Sequence, residues 1–143
     1  MLYFDTSFLV PLVVREASSN DIERFVKSLP AEAITVSQWT CVEFSSLLAR
    51  DVRMRVLSGA EALEADAEFD ALVQRSFAVV VPTADDFKQS RQYLRRYETG
   101  LRAGDALHLA IARNHGAKQI YTLDKGLLKA GGMLGLPVSS AIG

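Results

Sequence analysis

At the very start of the chain an apolar stretch, Leu2-Tyr3-Phe4, breaks off at Asp5-Thr6-Ser7 and resumes as Phe8-Leu9-Val10. A short run of aromatic and branched residues fits a buried β-strand. Thr6 or Ser7 is then placed to cap a helix over 8–14. Asp5 falls at the carboxyl end of that strand, the edge at which open parallel sheets bind ligands. A carboxylate held there among apolar neighbours calls for a chemical reason.

The rest of the chain repeats the alternation. Ile22, Phe25, Val26 and Leu29 recur at helical spacing after Ser18-Ser19-Asn20-Asp21, and Pro30 ends that helix. A second strand over 33–37 leads into a helix over 39–51, then a basic connection over 52–57 with Arg53 and Arg55. Ser58 and Glu61 have the spacing of a capping box and open a long helix toward Phe77. Val79-Val80-Val81 reads as strand three, and Thr83-Ala84-Asp85-Asp86 caps the next helix, with Arg91, Arg95 and Arg96 on its outer side.

Gly100 and Gly104 bracket a loop carrying Arg102, and the helix over 105–114 is apolar almost all round, the mark of a buried helix. Strand four covers 119–123 and ends at Asp124, while Pro137-Val138-Ser139 reads as a short fifth strand. Ala130-Gly131-Gly132-Met133 reads as a loop before it, with no Lys-Ser or Lys-Thr pair to make a phosphate cradle. Strands alternating with helices, without hairpin dipeptides, predict an α/β fold with a parallel sheet covered on both faces.

A chain of 143 residues buries roughly 70% of its unfolded surface, enough for one domain over 1–143 without staples. The single Cys41 excludes an internal disulfide and reads as a small apolar side chain among Trp39, Val42 and Phe44. Asp5 and Pro11 interrupt the N-terminal apolar run, and no basic region precedes it, so a signal peptide or a membrane span is not expected and a cytoplasmic protein is. With 16 Lys and Arg against 17 Asp and Glu, nucleic-acid binding would depend on local patches.

Four carboxylates stand where apolar residues would be expected: Asp5 after strand one, Glu43 on the helix after strand two, Asp105 heading the buried helix, and Asp124 after strand four. Each has an ordinary explanation. Asp5 and Asp124 can be helix caps, Asp105 can complement a helix end, and Glu43 can be a surface residue. Jointly they can face one crevice if strand one lies between strands two and four, the point where the strand order reverses.

Converging acids repel. Two carboxylates about 4 Å apart oppose each other by about 4 kcal/mol at an effective dielectric of 20, and several such pairs rival the roughly 5 to 15 kcal/mol that holds a domain together. Protons or cations must neutralise them, and oxygen-only donors suit Mg2+ or Mn2+ far better than zinc. Such ions can serve phosphodiester hydrolysis.

Taken together, Phe4-Asp5-Thr6-Ser7, Glu43, the run Gly104-Asp105-Ala106-Leu107-His108-Leu109-Ala110, and Thr122-Leu123-Asp124 resemble a PIN domain. Within that superfamily the resemblance is to the VapC toxins of toxin–antitoxin pairs, and it spans essentially the whole chain. It implies a three-layer α/β/α fold with strand order 3-2-1-4-5 and a Mg2+-dependent endoribonuclease, Mn2+ substituting. Asp5, Glu43 and Asp105 would be the usual metal ligands, and Asp124 a fourth acid of more variable role. Thr6, Ser7 and Thr122 match positions that orient water, metal or a neighbouring acid. The implied partners are RNA, a small cognate antitoxin and a second copy in a homodimer.

RNA binding would then rest on Arg50, Arg53 and Arg102, with Arg55, Arg95 and Arg96 as further candidates; all equally fit a solvated surface. His108 lies one turn after Asp105 and could touch the site, but it reads first as a packed or hydrogen-bonded structural histidine, since a lone His without a nucleophile makes no dyad. Phe25, Phe44, Phe69 and Phe77 are core candidates. Two other classes compete: a non-catalytic scaffold of the same fold that binds protein or RNA, and a phosphatase of the haloacid dehalogenase kind. The latter wants an acid two positions after Asp5, where this chain has Ser7.

Overall fold

The computed structural model describes residues 1–30 and 32–142. Among them, β1 (Leu2–Phe4), β2 (Ile34–Ser37), β3 (Ala78–Val80), β4 (Gln119–Tyr121) and β5 (Val138–Ser139) form one parallel sheet in the order β3-β2-β1-β4-β5. The α-helices are α1 (Thr6–Leu9), α2 (Ser19–Ser28), α3 (Gln38–Arg53), α4 (Gly59–Ser76), α5 (Ala84–Leu94), α6 (Ala103–Asn114) and α7 (Lys125–Met133). The expected strand order is the observed one.

Period-two alternation in the central strand generates two cores, because a strand buried on both faces needs apolar side chains on both. Phe4 points to one side, where its ring lies 4.9 Å from that of Tyr121 and packs with Phe8, Ile22, Val36, Phe44 and Phe69 from β2 and α1 to α4. Tyr3 points to the other side and joins Ile120, Leu107, Leu109, Ile111 and Leu127 from β4, α6 and α7. The layers are therefore helix, sheet, helix. Phe44 and Phe69 stack at 4.1 Å and lock α3 against α4; each fully buried ring contributes about 1.5 to 3 kcal/mol.

Local signals fix the helix starts. Ser37 and Thr40 make a reciprocal capping box for α3, as do Ser58 and Glu61 for α4 and Thr83 and Asp86 for α5. Asp86 is wholly buried and also accepts from Asn114 Nδ2 at 2.9 Å, tying the start of α5 to the end of α6. This bond helps hold the helix that carries Asp105.

Two expectations need correction. In place of a continuous helix over 8–14 there is one α-turn, Thr6–Leu9, followed by a 3-10 turn at Val10–Leu12, because Pro11 has no N–H to extend the α ladder. Its cap is Asp5 rather than Thr6 or Ser7: Asp5 Oδ1 accepts from Phe8 N at 3.1 Å. The segment Ala130 to Met133 is the last turn of α7 rather than a loop. Gly131 is needed there for close packing, since a Cβ on it would stand 2.4 Å from Val138 Cγ1 on β5.

Candidate functional site

At the switch point the carboxyl ends of β1 and β4 meet the start of α3 and the start of α6. A cavity of about 340 Å3 opens there, lined by Asp5, Thr6, Ser7, Trp39, Val42, Glu43, Ser46, Leu47, Asp105 and Asp124. All four acids picked out by their sequence positions reach this one space, from four separate segments. Trp39, Glu43 and Leu47 share a face of α3, as four-residue spacing requires.

Asp5 is almost fully buried and held on both oxygens. Ser7 Oγ donates to Oδ1 at 2.7 Å, and Thr122 Oγ1 donates to Oδ2. Burial pushes its pKa above the ordinary value, opposed by the nearby His108 charge and by the Thr122, Ser7 and Phe8 donors. Glu43 Oε1 accepts from Thr6 Oγ1 at 2.6 Å and pairs with His108 Nε2. Burial would raise the Glu43 pKa, but the His108 bond and charge and the Thr6 hydroxyl outweigh it and hold the carboxyl below its usual range.

Asp105 sits in the first turn of α6 and, among the described residues, has no side-chain partner of this kind. Burial pushes its pKa up to about 6, helped by the like charges of Asp124, Glu43 and Asp5 and opposed by His108. Asp124 caps α7, its Oδ1 accepting from Leu127 N at 2.9 Å. Cap and cavity wall are thus one role for Asp5 and Asp124, since a cap engages only part of a carboxylate's acceptor capacity.

The hydroxyls matched by resemblance all act on acids or their neighbours. Thr6 serves Glu43, Ser7 and Thr122 serve Asp5, and Thr122 Oγ1 also accepts from Asp124 N at 3.0 Å. The arginines are less concentrated. Arg50 borders an adjoining cleft that shares Ser7 and Leu47 with the acid cavity, and it stands 3.6 Å from Asp51. Arg53 and Arg102 lie outside the cavity lining, at the last residue of α3 and the cap position of α6.

Sequence reasoning missed Tyr3, while His108 is hydrogen-bonded, as expected, and its partner is a cavity acid. The signal was present in part: His108 is three residues after Asp105 on one helix face. Gly104 also escaped notice as a packing residue. Its carbonyl accepts from Trp39 Nε1 at 3.2 Å, and a Cβ there would stand 2.9 Å from Glu43 Oε2.

The donor chemistry fits a hard divalent cation: carboxylates from four segments, no basic residue in the lining among the described residues, and room kept beside Glu43 Oε2 by a missing Cβ. Among the described residues no three His, Cys, Asp or Glu side chains stand together closely enough to hold a metal ion as they are placed. A hard divalent cation that keeps several of its waters needs only one or two carboxylates as direct ligands. A second cavity, of about 470 Å3, surrounds Asp86 and His115 at the opposite end of α6. Its buried acid is fully engaged by Thr83 N, Asn114 and His115, a structural tie.

Comparison with known proteins agrees with this geometry. The family model described as PIN domain matches residues 2–133. No curated protein matches the chain. Among solved structures, VapC20 of Mycobacterium tuberculosis, a toxin that cleaves the sarcin-ricin loop, is similar with a TM-score of 0.71 and 25% identity, covering 92% of this chain and 95% of that one. A toxin-antitoxin complex from Klebsiella pneumoniae is similar at TM-score 0.68 and 20% identity over 99% and 98% of the two chains. VapBC-1 of nontypeable Haemophilus influenzae is similar at 0.69 and 15% identity over the full length of both. Switch-point acids, strand order and family match converge, and the chain belongs to the PIN-domain family.

Proposed function

We propose that this PIN domain is a Mg2+-dependent endoribonuclease and the toxin of a toxin–antitoxin pair. The observation that carries the reading is the cavity in which Asp5, Glu43, Asp105 and Asp124 meet and at which burial and mutual repulsion raise the Asp105 pKa to about 6. Asp5, Glu43 and Asp105 would hold the ion, in a cavity that Asp124 also lines. When bound, Mg2+ supplies the positive charge that polarises a phosphoryl oxygen and makes water a better nucleophile.

The chain's own residues supply order. Ser7 and Thr122 fix Asp5, and Thr6 and His108 fix Glu43, so two of the acids are oriented before any ligand arrives. Trp39, Val42 and Leu47 give one side of the cavity an apolar wall that limits water. Arg50 lines the adjoining cleft and would meet a phosphate of the same strand. The antitoxin reading is supported by the toxin and toxin–antitoxin complexes among the structural neighbours. An antitoxin Arg entering the acid cavity would replace the cation, and the family pattern adds a homodimer.

Purified protein incubated with total RNA tests the reading. Cleavage is expected with Mg2+ or Mn2+, absent in EDTA, and not restored by Ca2+ alone, whose looser coordination holds acids without aligning attack. Cleavage that persists in EDTA, or no cleavage with any of these ions, overturns it.

A further inference from the structure

His108 is 1% exposed and stands behind the cavity wall, outside the cavity itself. Both ring nitrogens are engaged. Nδ1 lies 2.7 Å from the Tyr3 hydroxyl, and Nε2 meets Glu43 Oε1. The Tyr3 hydroxyl lies 2.9 Å from Ser37 Oγ, and the Tyr3 and His108 rings meet edge to face at 5.7 Å. Four elements are joined in this way: β2, β1, α6 and α3.

The acceptor at the end sets the direction of the chain. An ionised carboxylate only accepts, so His108 Nε2 carries the hydrogen. When the ring is neutral, Nδ1 accepts from the Tyr3 hydroxyl, whose oxygen then accepts from Ser37; when the ring is charged, Nδ1 donates to the Tyr3 oxygen, and the pairing stands either way. Thr6 donates to the same Glu43 oxygen, its Oγ1 lying 3.5 Å from His108 Nε2. Oε1 is thus occupied by two internal donors, which leaves Oε2 as the free oxygen. Gly104 lies against Oε2 and leaves it uncovered, because a Cβ at that position would approach to 2.9 Å.

We propose that His108, backed by Tyr3, is a positioning residue that commits Glu43 to ligation through one oxygen, keeping Oε1 in the interior and presenting only Oε2 to a divalent cation. The inference rests on the reading of the cavity as a metal centre. A carboxylate with both oxygens free rotates and can chelate in two ways, whereas one anchored by a buried ring offers a single fixed donor.

Mn2+ alone is the probe, with its free concentration followed by electron paramagnetic resonance for the parent, His108→Leu, His108→Gln and Tyr3→Phe, each also melted in EDTA. Gln at 108 can place an amide N–H where Nε2 stands; Leu cannot. His108→Leu should weaken Mn2+ binding by about 10- to 100-fold, His108→Gln should stay near the parent, and Tyr3→Phe should fall between. Nitrogen-15 spectra of the metal-free parent should show the His108 hydrogen on Nε2.

Parent-like affinity in a folded His108→Leu overturns the positioning role. So does a folded His108→Gln that loses as much affinity as Leu, or a parent ring without hydrogen on Nε2. If His108→Leu does not fold, Tyr3→Phe decides: unchanged Mn2+ affinity in a folded Tyr3→Phe overturns the backing by Tyr3. A parent that binds no Mn2+ overturns the metal-centre reading and this inference together, a result distinct from losing the positioning role alone.

Discussion

Replacing Asp105 by Asn sets two opposing contributions against each other. The carboxylate is stabilised by its place in the first turn of α6, worth about 0.3 to 1 kcal/mol. It is destabilised by burial and by Asp124, Glu43 and Asp5, which together raise its pKa from the ordinary 3.8 to about 6. At about 1.4 kcal/mol per pH unit that shift is an upper bound of about 3 kcal/mol against the folded state at neutral pH. Asp105 is only half-buried, and solvent screening reduces the figure to about 1.5 kcal/mol. Burial and repulsion together therefore outweigh the helix-end benefit.

In EDTA at pH 7, Asp105→Asn should be more stable than the parent by about 0.5 to 1 kcal/mol, a rise in Tm of about 2 to 5 °C. The sign follows the proton. Between pH 3.8 and 6 the folded parent binds a proton that the unfolded chain has released, so the parent loses stability as pH rises through this window. The variant's advantage is thus full above pH 6 and fades as pH falls toward 4. With Mg2+ the order reverses, because the parent gains binding energy that the variant gains less of, and the variant should lose most cleavage. The assay is a melting series from pH 4 to 8 in EDTA and in Mg2+, beside a cleavage rate. A variant less stable than the parent at pH 7 in EDTA would refute the argument that burial and repulsion penalise this carboxylate.

Phe69→Ala removes one ring of the 4.1 Å stack with Phe44 and should cost about 3 to 5 kcal/mol, seen as a lower urea midpoint; a loss under about 1 kcal/mol would mean that α4 is not part of the cooperative core. Thr122→Val removes the hydroxyl that donates to Asp5 and accepts from Asp124 N. A bond to a charged group is worth about 1.5 to 3 kcal/mol, so both stability at pH 7 and cleavage should fall, and an unchanged urea midpoint would contradict the bonding described. Gly131→Ala gains about 1 kcal/mol of helix propensity but places a Cβ 2.4 Å from Val138 Cγ1, an overpacking cost of about 1 to 3 kcal/mol. A fall in Tm is expected, and a rise would show that α7 and β5 do not pack this closely.

Periodicity and chain order carry most of this fold because the central strand is buried on both faces. Leu2-Tyr3-Phe4 had to be apolar throughout, and a carboxylate directly after such a strand stood out against it. The same contrast exposed Glu43, Asp105 and Asp124. What stayed hidden depends on pairs far apart in sequence. The glycines of α7 looked like turn residues, since the close approach of Val138 is visible only once β5 is laid beside the helix. Arg50 could not be told from Arg53 or Arg102, because a charged side chain on a helix looks alike whether it borders a cleft or bulk water. Tyr3 carries the clearest lesson. Alternation alone places it on the face opposite Phe4, and strand order places β1 beside β4, yet its hydroxyl reaches His108 only because α6 covers that same face. Binary patterning could show that Tyr3 is buried; the partner of a buried hydroxyl is set by which helix lands on it, and that choice is made by packing across the whole domain.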